Sequence, residues 1–137
     1  MIWNMRLDYL NRRRQEVIIE SFLNRMIGFF PKIREKLEEH IFEYGERLDT
    51  IVIEEIIMPE VIELLKRDSY KKELKEIFDY FEDVCINADD YLNNVFSITV
   101  LEILGNEKTI LETAKKYMGP VTMKLQREAD IAIGRQV

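Results

Sequence analysis

Histidine and cysteine are almost absent from this chain of 137 residues; His40 and Cys85 are the only ones. A lone cysteine cannot form an intramolecular disulfide, whereas a small secreted domain ordinarily has several. A lone histidine removes most metal and nucleophile chemistry. A ferritin-like di-iron centre needs paired Glu-x-x-His motifs and further carboxylates. Zinc asks for several Cys or His ligands, and any Cys–His or Ser–His nucleophile would depend on His40 as its base. Ser21, Ser69 and Ser97 stand in no nucleophile-elbow context. Glu38-Glu39-His40 therefore reads as an exposed helix face. Cys85, beside Val84 on an apolar stripe, reads as a small buried hydrophobe. No cofactor, no metal and no catalytic residue is expected.

Glycine (5) and proline (3) are also scarce, too few for the turns of an all-β domain. The glycines at 28, 45, 105, 119 and 134 are scattered, so no phosphate-binding or dinucleotide loop exists. Asn87-Ala88-Asp89-Asp90 lacks the central glycine and the closing glutamate of a calcium-binding EF-hand loop. The longest apolar stretch, Ile51 to Met58, is interrupted by Glu54 and Glu55, well short of the ~18 apolar residues of a membrane span. The first residues have no basic segment leading into an apolar one, so no signal peptide is read. These shortages together predict a cytoplasmic protein with no membrane association.

What the chain does contain is helix-forming residues and acid. The 47% hydrophobic fraction and 34% charged fraction suit one folded domain over residues 1–137. The net charge is -6. Between Glu35 and Glu63 ten acids face only Lys36 and Arg47, and Glu76, Asp79, Glu82, Asp83, Asp89 and Asp90 follow. The bases collect earlier, at Arg6, Arg12, Arg13, Arg14, Arg25, Lys32 and Arg34. A sequence pI near 5.0 argues against nucleic acid as the main partner, despite the arginine triplet, because such domains usually have a pI above ~9.

Apolar spacing predicts helices throughout. The first runs from Leu7 to Phe29 on the stripe Leu10, Val17, Ile18, Phe22 and Met26, and stops at Gly28 and Pro31. The second carries Ile33, Leu37, Ile41 and Tyr44 and stops at Gly45. Leu48 to Arg67 reads as the central helix, kinked or restarted at Pro59. Ser69, beside Asp68, is read as the cap of the next helix, with its stripe at Leu74, Ile77, Phe78, Phe81, Val84 and Cys85. Asn87, with Asp90 three residues on, is read as the cap of a helix through Leu104, and Asn106 as the cap of the helix carrying Ile110, Leu111, Ala114 and Tyr117. Gly119-Pro120 opens the last helix. The phenylalanines, Phe42 included, are assigned to core stripes. Short connections predict an all-α, compact stack of about six or seven antiparallel helices, an irregular, repeat-like set of α-hairpins.

Phe78-Asp79-Tyr80-Phe81-Glu82, then Leu92-Asn93-Asn94-Val95-Phe96-Ser97-Ile98-Thr99-Val100-Leu101-Glu102-Ile103-Leu104-Gly105, then Ala114-Lys115-Lys116-Tyr117-Met118-Gly119-Pro120 carry a resemblance. Over roughly residues 50–127 the chain resembles small helical bacterial proteins of largely unknown function, some of them thought to be immunity proteins of toxin systems. The resemblance implies a helical protein-binding fold and supplies no catalytic residue.

The first functional expectation is thus a protein-binding module, most specifically an immunity protein that neutralises a toxin such as a nuclease. Its acidic surface would meet a basic partner through Glu38, Glu39, Glu43, Glu46, Glu54, Glu55, Asp79, Glu82 and Asp83. A homodimer or other regulatory homo-oligomer is the alternative, if the stretch Ile51 to Leu65 exceeds what one core can cover. A small-ligand binder or an enzyme without recognisable motifs is the second alternative.

Overall fold

The computed structural model describes residues 16–67 and 69–135. The arginines at 6, 12, 13 and 14, the part of the expected first helix before Glu16, and Asp68 lie outside the described residues. Within them the chain forms seven helices. They are α1 (Ile19–Phe29), α2 (Ile33–Tyr44), α3 (Asp49–Val52, Ile53–Ile57 and Met58–Lys66 in succession), α4 (Lys71–Asn87), α5 (Asp90–Phe96, Ser97–Leu101 and Glu102–Gly105 in succession), α6 (Lys108–Lys115) and α7 (Pro120–Ala132). The fold is all-α, as the composition and periodicity predict.

Val17 and Ile18, expected inside the first helix, are extended. The Val17 N–H donates to the Asn87 carbonyl at 2.9 Å and the Asp89 N–H donates to the Val17 carbonyl at 3.0 Å, making a single parallel bridge between Val17 and Ala88. Three consecutive β-branched residues, Val17 to Ile19, enter a helix poorly. Ser21 closes the end instead: its hydroxyl accepts from the Ile18 N–H and donates to the Ile18 carbonyl, both at 2.9 Å.

The same bridge displaces the expected cap of α5. Asn87 ends α4 rather than opening α5, because its carbonyl is held by Val17. Asp89 takes the cap, its Oδ1 accepting from the Leu92 N–H at 2.8 Å. Two further caps shift, each by one residue. Tyr70 rather than Ser69 precedes α4, and Glu107 rather than Asn106 precedes α6; neither makes a side-chain capping bond. Gly119 and Pro120 open α7 as expected.

The irregularity predicted at Pro59 is real but falls just before it. Ile53–Ile57 is a π-helical segment, and the Met58 N–H reaches back five residues to the Ile53 carbonyl. Proline brings no N–H, and its ring presses on the carbonyl four residues earlier; a wider preceding turn relieves that crowding without breaking the helix. A second π segment, Ser97–Leu101, interrupts α5. There the Thr99 hydroxyl donates to the Val95 carbonyl at 2.5 Å, competing with the helical ladder. The Leu101 carbonyl at its end accepts from the buried Gln126 Nε2 of α7 at 2.8 Å. The two π segments pack against each other.

One apolar cluster draws on all seven helices. Phe22, Phe78 and Phe81 are fully buried within it. Phe81 meets Phe78 and Phe96 edge-on, with centroids at 5.1 and 5.3 Å. The core absorbs the apolar residues of α3: none of the large apolar side chains from Ile51 to Leu65 is exposed. The stretch Ile51 to Leu65 therefore presents no large exposed apolar side chain to a second copy. Among the described residues no helix is long and apolar enough to cross a membrane.

Candidate protein-binding surface

Helix α2 is held by few groups. Ile33 and His40 are buried and Leu37 is half-buried, and these three fall on one side of it. His40, expected on the surface, is only 7% exposed. Its Nε2 accepts from the Leu48 N–H at 3.1 Å, and its ring lies 4.7 Å from that of Tyr44. The Leu48 amide precedes α3 and has no helical partner, so the imidazole nitrogen supplies the acceptor that this half-buried N–H would otherwise lack. Gly45, at φ 74, ends α2 with its N–H on the Ile41 carbonyl at 2.8 Å. The turn that follows is anchored by Arg47, whose guanidinium bonds Asp49 at 2.5 Å and Glu20 at 3.3 Å. Tyr91 donates its hydroxyl to the same Asp49 at 2.6 Å. Lys32 meets Glu60 at 2.8 Å, fixing the other end of α2 to α3. The helix is pinned at both ends and leaves a broad face outward.

That outward face is acidic and carries an aromatic centre. Glu38, Glu39 and Glu43 on α2, and Glu46 just beyond it, are exposed and make no ion pair among the described residues. Phe42 sits one turn after Glu38 and Glu39, opposite the Ile33–Leu37–His40 side, and is 92% exposed. Ile41 and Tyr44 are also exposed, Tyr44 on the other side of the helix beside the His40 ring. The expectation that Phe42, Ile41 and Tyr44 belong to the core is corrected by this geometry. The signal was present in the sequence: at 100° per residue Phe42 lies half a turn from Ile33.

The remaining acidic residues do different things. Glu54 and Glu55 are both exposed on α3, and Glu54 lines a groove between α3 and α5. Asp79 is engaged by Lys75 at 2.9 Å, one turn back on α4. Asp83 accepts from Asn87 at 2.6 Å. Glu82 faces inward. One of its oxygens accepts from the Val121 N–H at 3.0 Å; the other accepts from the Thr122 N–H and hydroxyl, each at 2.7 Å. It caps the N-terminus of α7 from a different helix. Burial pushes its carboxyl up, but the bonds from Thr122 and Val121 outweigh that and hold it below the ordinary range. Of the nine expected residues, only Glu38, Glu39, Glu43 and Glu46 share the α2 surface.

Cys85 is half-buried beside Thr122, whose hydroxyl lies 3.5 Å from its sulfur. Burial, only partly countered by that hydroxyl, and the nearby Glu82 push the thiol up to about 11. We expect Cys85 in the native protein to react with an aromatic disulfide reagent near pH ~8 on the order of 100-fold more slowly than in the denatured chain. Stopped-flow absorbance checks this, and equal rates in the two states would refute the placement.

A family model described as "Domain of unknown function (DUF7674)" matches residues 23–132. The chain belongs to the DUF7674 family. No curated protein and no solved structure matches it. The match begins inside α1 and closes on the last residue of α7, so in this DUF7674 member the acidic α2 face and the Glu82 cap both lie within the family span. The sequence resemblance, read over roughly residues 50–127, is supported as far as an uncharacterised family; the DUF7674 description assigns no immunity role.

Proposed function

We propose that this protein is a protein-binding module whose docking surface is the outward face of α2, and that its partner presents a basic surface with an apolar slot. The carrying observation is Phe42, 92% exposed amid carboxylates on a helix pinned at both ends. An aromatic in water gives up apolar hydration when it enters a partner's pocket, and buried aromatics are the usual anchors of interfaces. The surrounding Glu38, Glu39, Glu43 and Glu46 supply a field that speeds encounter with a positive partner and rejects acidic ones. In its most specific form the module is an immunity protein, which covers the basic substrate cleft of a toxin such as a nuclease. What supports that form is the sequence resemblance together with the charge of α2.

The test is affinity capture of the tagged protein from its native host, washed through a salt series. A basic protein is expected on the wild type, released as salt rises. Phe42→Ala and the pair Glu38→Lys with Glu39→Lys are each expected to weaken its binding about tenfold or more. If both variants retain the partner as well as wild type, α2 is not the docking surface. For the immunity form, the captured protein's activity must fall when purified module is added back; undiminished activity removes the toxin reading.

A further inference from the structure

A groove lies where α3 meets α5. Its wider part, about 560 Å³, is walled by Met58, Pro59 and Ile62 of α3, by Ile98 and Ile103 of α5, and by Ile133 after α7. A narrower part of about 190 Å³ shares Ile62 and Ile103 and runs on to Ile110 of α6. Three carboxylates line it: Glu54 and Glu102 in the wide part, Glu107 in the narrow part. The one cation lining it among the described residues, Arg135, is already engaged. The guanidinium donates to the buried Asp130 at 2.9 Å and to the Asn106 carbonyl oxygen. Among the described residues the walls therefore combine aliphatic surface with carboxylates that no cation pairs. Ile98 and Ile133 are each 46% exposed there, large aliphatic side chains facing water rather than core. Both π segments contribute, Glu54 from the first and Ile98 from the second, and such segments recur at ligand sites.

We infer that this groove binds an aliphatic amine, with the methylene chain on Ile62, Ile98, Ile103 and Ile133 and the ammonium group against Glu54 and Glu102. An anionic ligand would be repelled. A neutral apolar ligand would strip water from the carboxylates and give nothing back. A bare metal ion would want a shell of oxygens and make no use of the isoleucines. An ammonium on an alkyl chain satisfies both kinds of wall, and the space falls in the range of small-molecule sites. The inference stands apart from the reading of α2, since it uses other residues and another surface.

Titration of the intact protein with hexylammonium, and separately with hexanoate, followed by calorimetry and by methyl NMR, tests it. Saturable hexylammonium binding is expected, with shifts at the Ile98 and Ile103 methyls, and with hexanoate weaker by about tenfold or more. The pair Glu54→Gln with Glu102→Gln is expected to lose about tenfold or more in affinity. The pair Glu73→Gln with Glu76→Gln on the exposed side of α4 is expected to leave binding unchanged. Equal binding of hexanoate, no loss on neutralising Glu54 and Glu102, or an equal loss on neutralising Glu73 and Glu76 would each overturn the inference, the last by revealing bulk charge attraction. Binding of a lysine-containing peptide without any binding of free hexylammonium would also overturn it, because the groove would then be a protein contact. Circular dichroism of the glutamine variants separates loss of the site from loss of the fold.

Discussion

Phe81→Ala is expected to remove about 4 kcal/mol of stability and to lower the melting temperature by on the order of 15 °C. Phe81 is fully buried and touches two other core rings, Phe78 and Phe96, edge-on. Truncation loses the transfer energy of the ring and leaves a cavity that α4 and α5 cannot collapse into without shifting the remaining aromatics. Phe81→Leu keeps most of the volume and is expected to cost under about 1.5–2 kcal/mol. The same truncation at Phe42 is the internal control. Because that ring is almost wholly in water, Phe42→Ala should change stability by no more than about 0.5 kcal/mol. Urea denaturation of the three variants checks all of this together. A comparable loss at Phe42 and Phe81 would contradict both the core and the free surface.

Gly119→Ala is expected to cost about 2–3 kcal/mol. The backbone there is ordinary, at φ -77, so an alanine meets no conformational penalty. The penalty is spatial. A Cβ on residue 119 would stand 2.4 Å from the Glu82 carboxyl carbon and 2.7 Å from each of its oxygens. The carboxylate must then shift, stretching or breaking its bonds to Val121 and Thr122, and α7 loses acceptor strength and negative charge at its positive end. Glu82→Gln reports on the same contact through pH. The native carboxyl of Glu82 lies below its ordinary value, so the unfolded chain holds the proton more readily than the folded one. Its contribution is complete above the unfolded value and disappears as pH falls through the native one. Wild-type stability should therefore drop more steeply on acidification than that of Glu82→Gln, with the two curves converging at the acid end. Parallel curves from neutral pH into the acid range would show that Glu82 is not the cap.

The residues that were legible in the sequence and those that were not divide by the range of the interaction involved. Apolar spacing alone located the buried side of α4, with Leu74, Ile77, Phe78, Phe81 and Val84, because a helix repeats every 3.6 residues whatever it packs against. Scarcity of glycine, proline, cysteine and histidine determined the all-α class and narrowed the chemistry. Gly45 and Gly119-Pro120 marked helix ends through conformational preferences carried by those residues themselves.

Everything that depended on a second segment was decided by the tertiary structure. Val17 left the first helix because Asn87 and Asp89 offered it backbone partners, and that one bridge moved the cap of α5 from Asn87 to Asp89. His40 went inside because the turn folding back after α2 needed an acceptor for Leu48. Glu82 was indistinguishable from its acidic neighbours until α7 brought Val121 and Thr122 to it. Gly119, readable only as a helix stop, is also the space in which that carboxylate sits. The sequence by itself determined helices, their stripes and an excess of acid. Which acids face solvent together on α2 and which are consumed as caps or ion pairs followed only from packing, because one chain's local periodicity holds no record of what will lie against it.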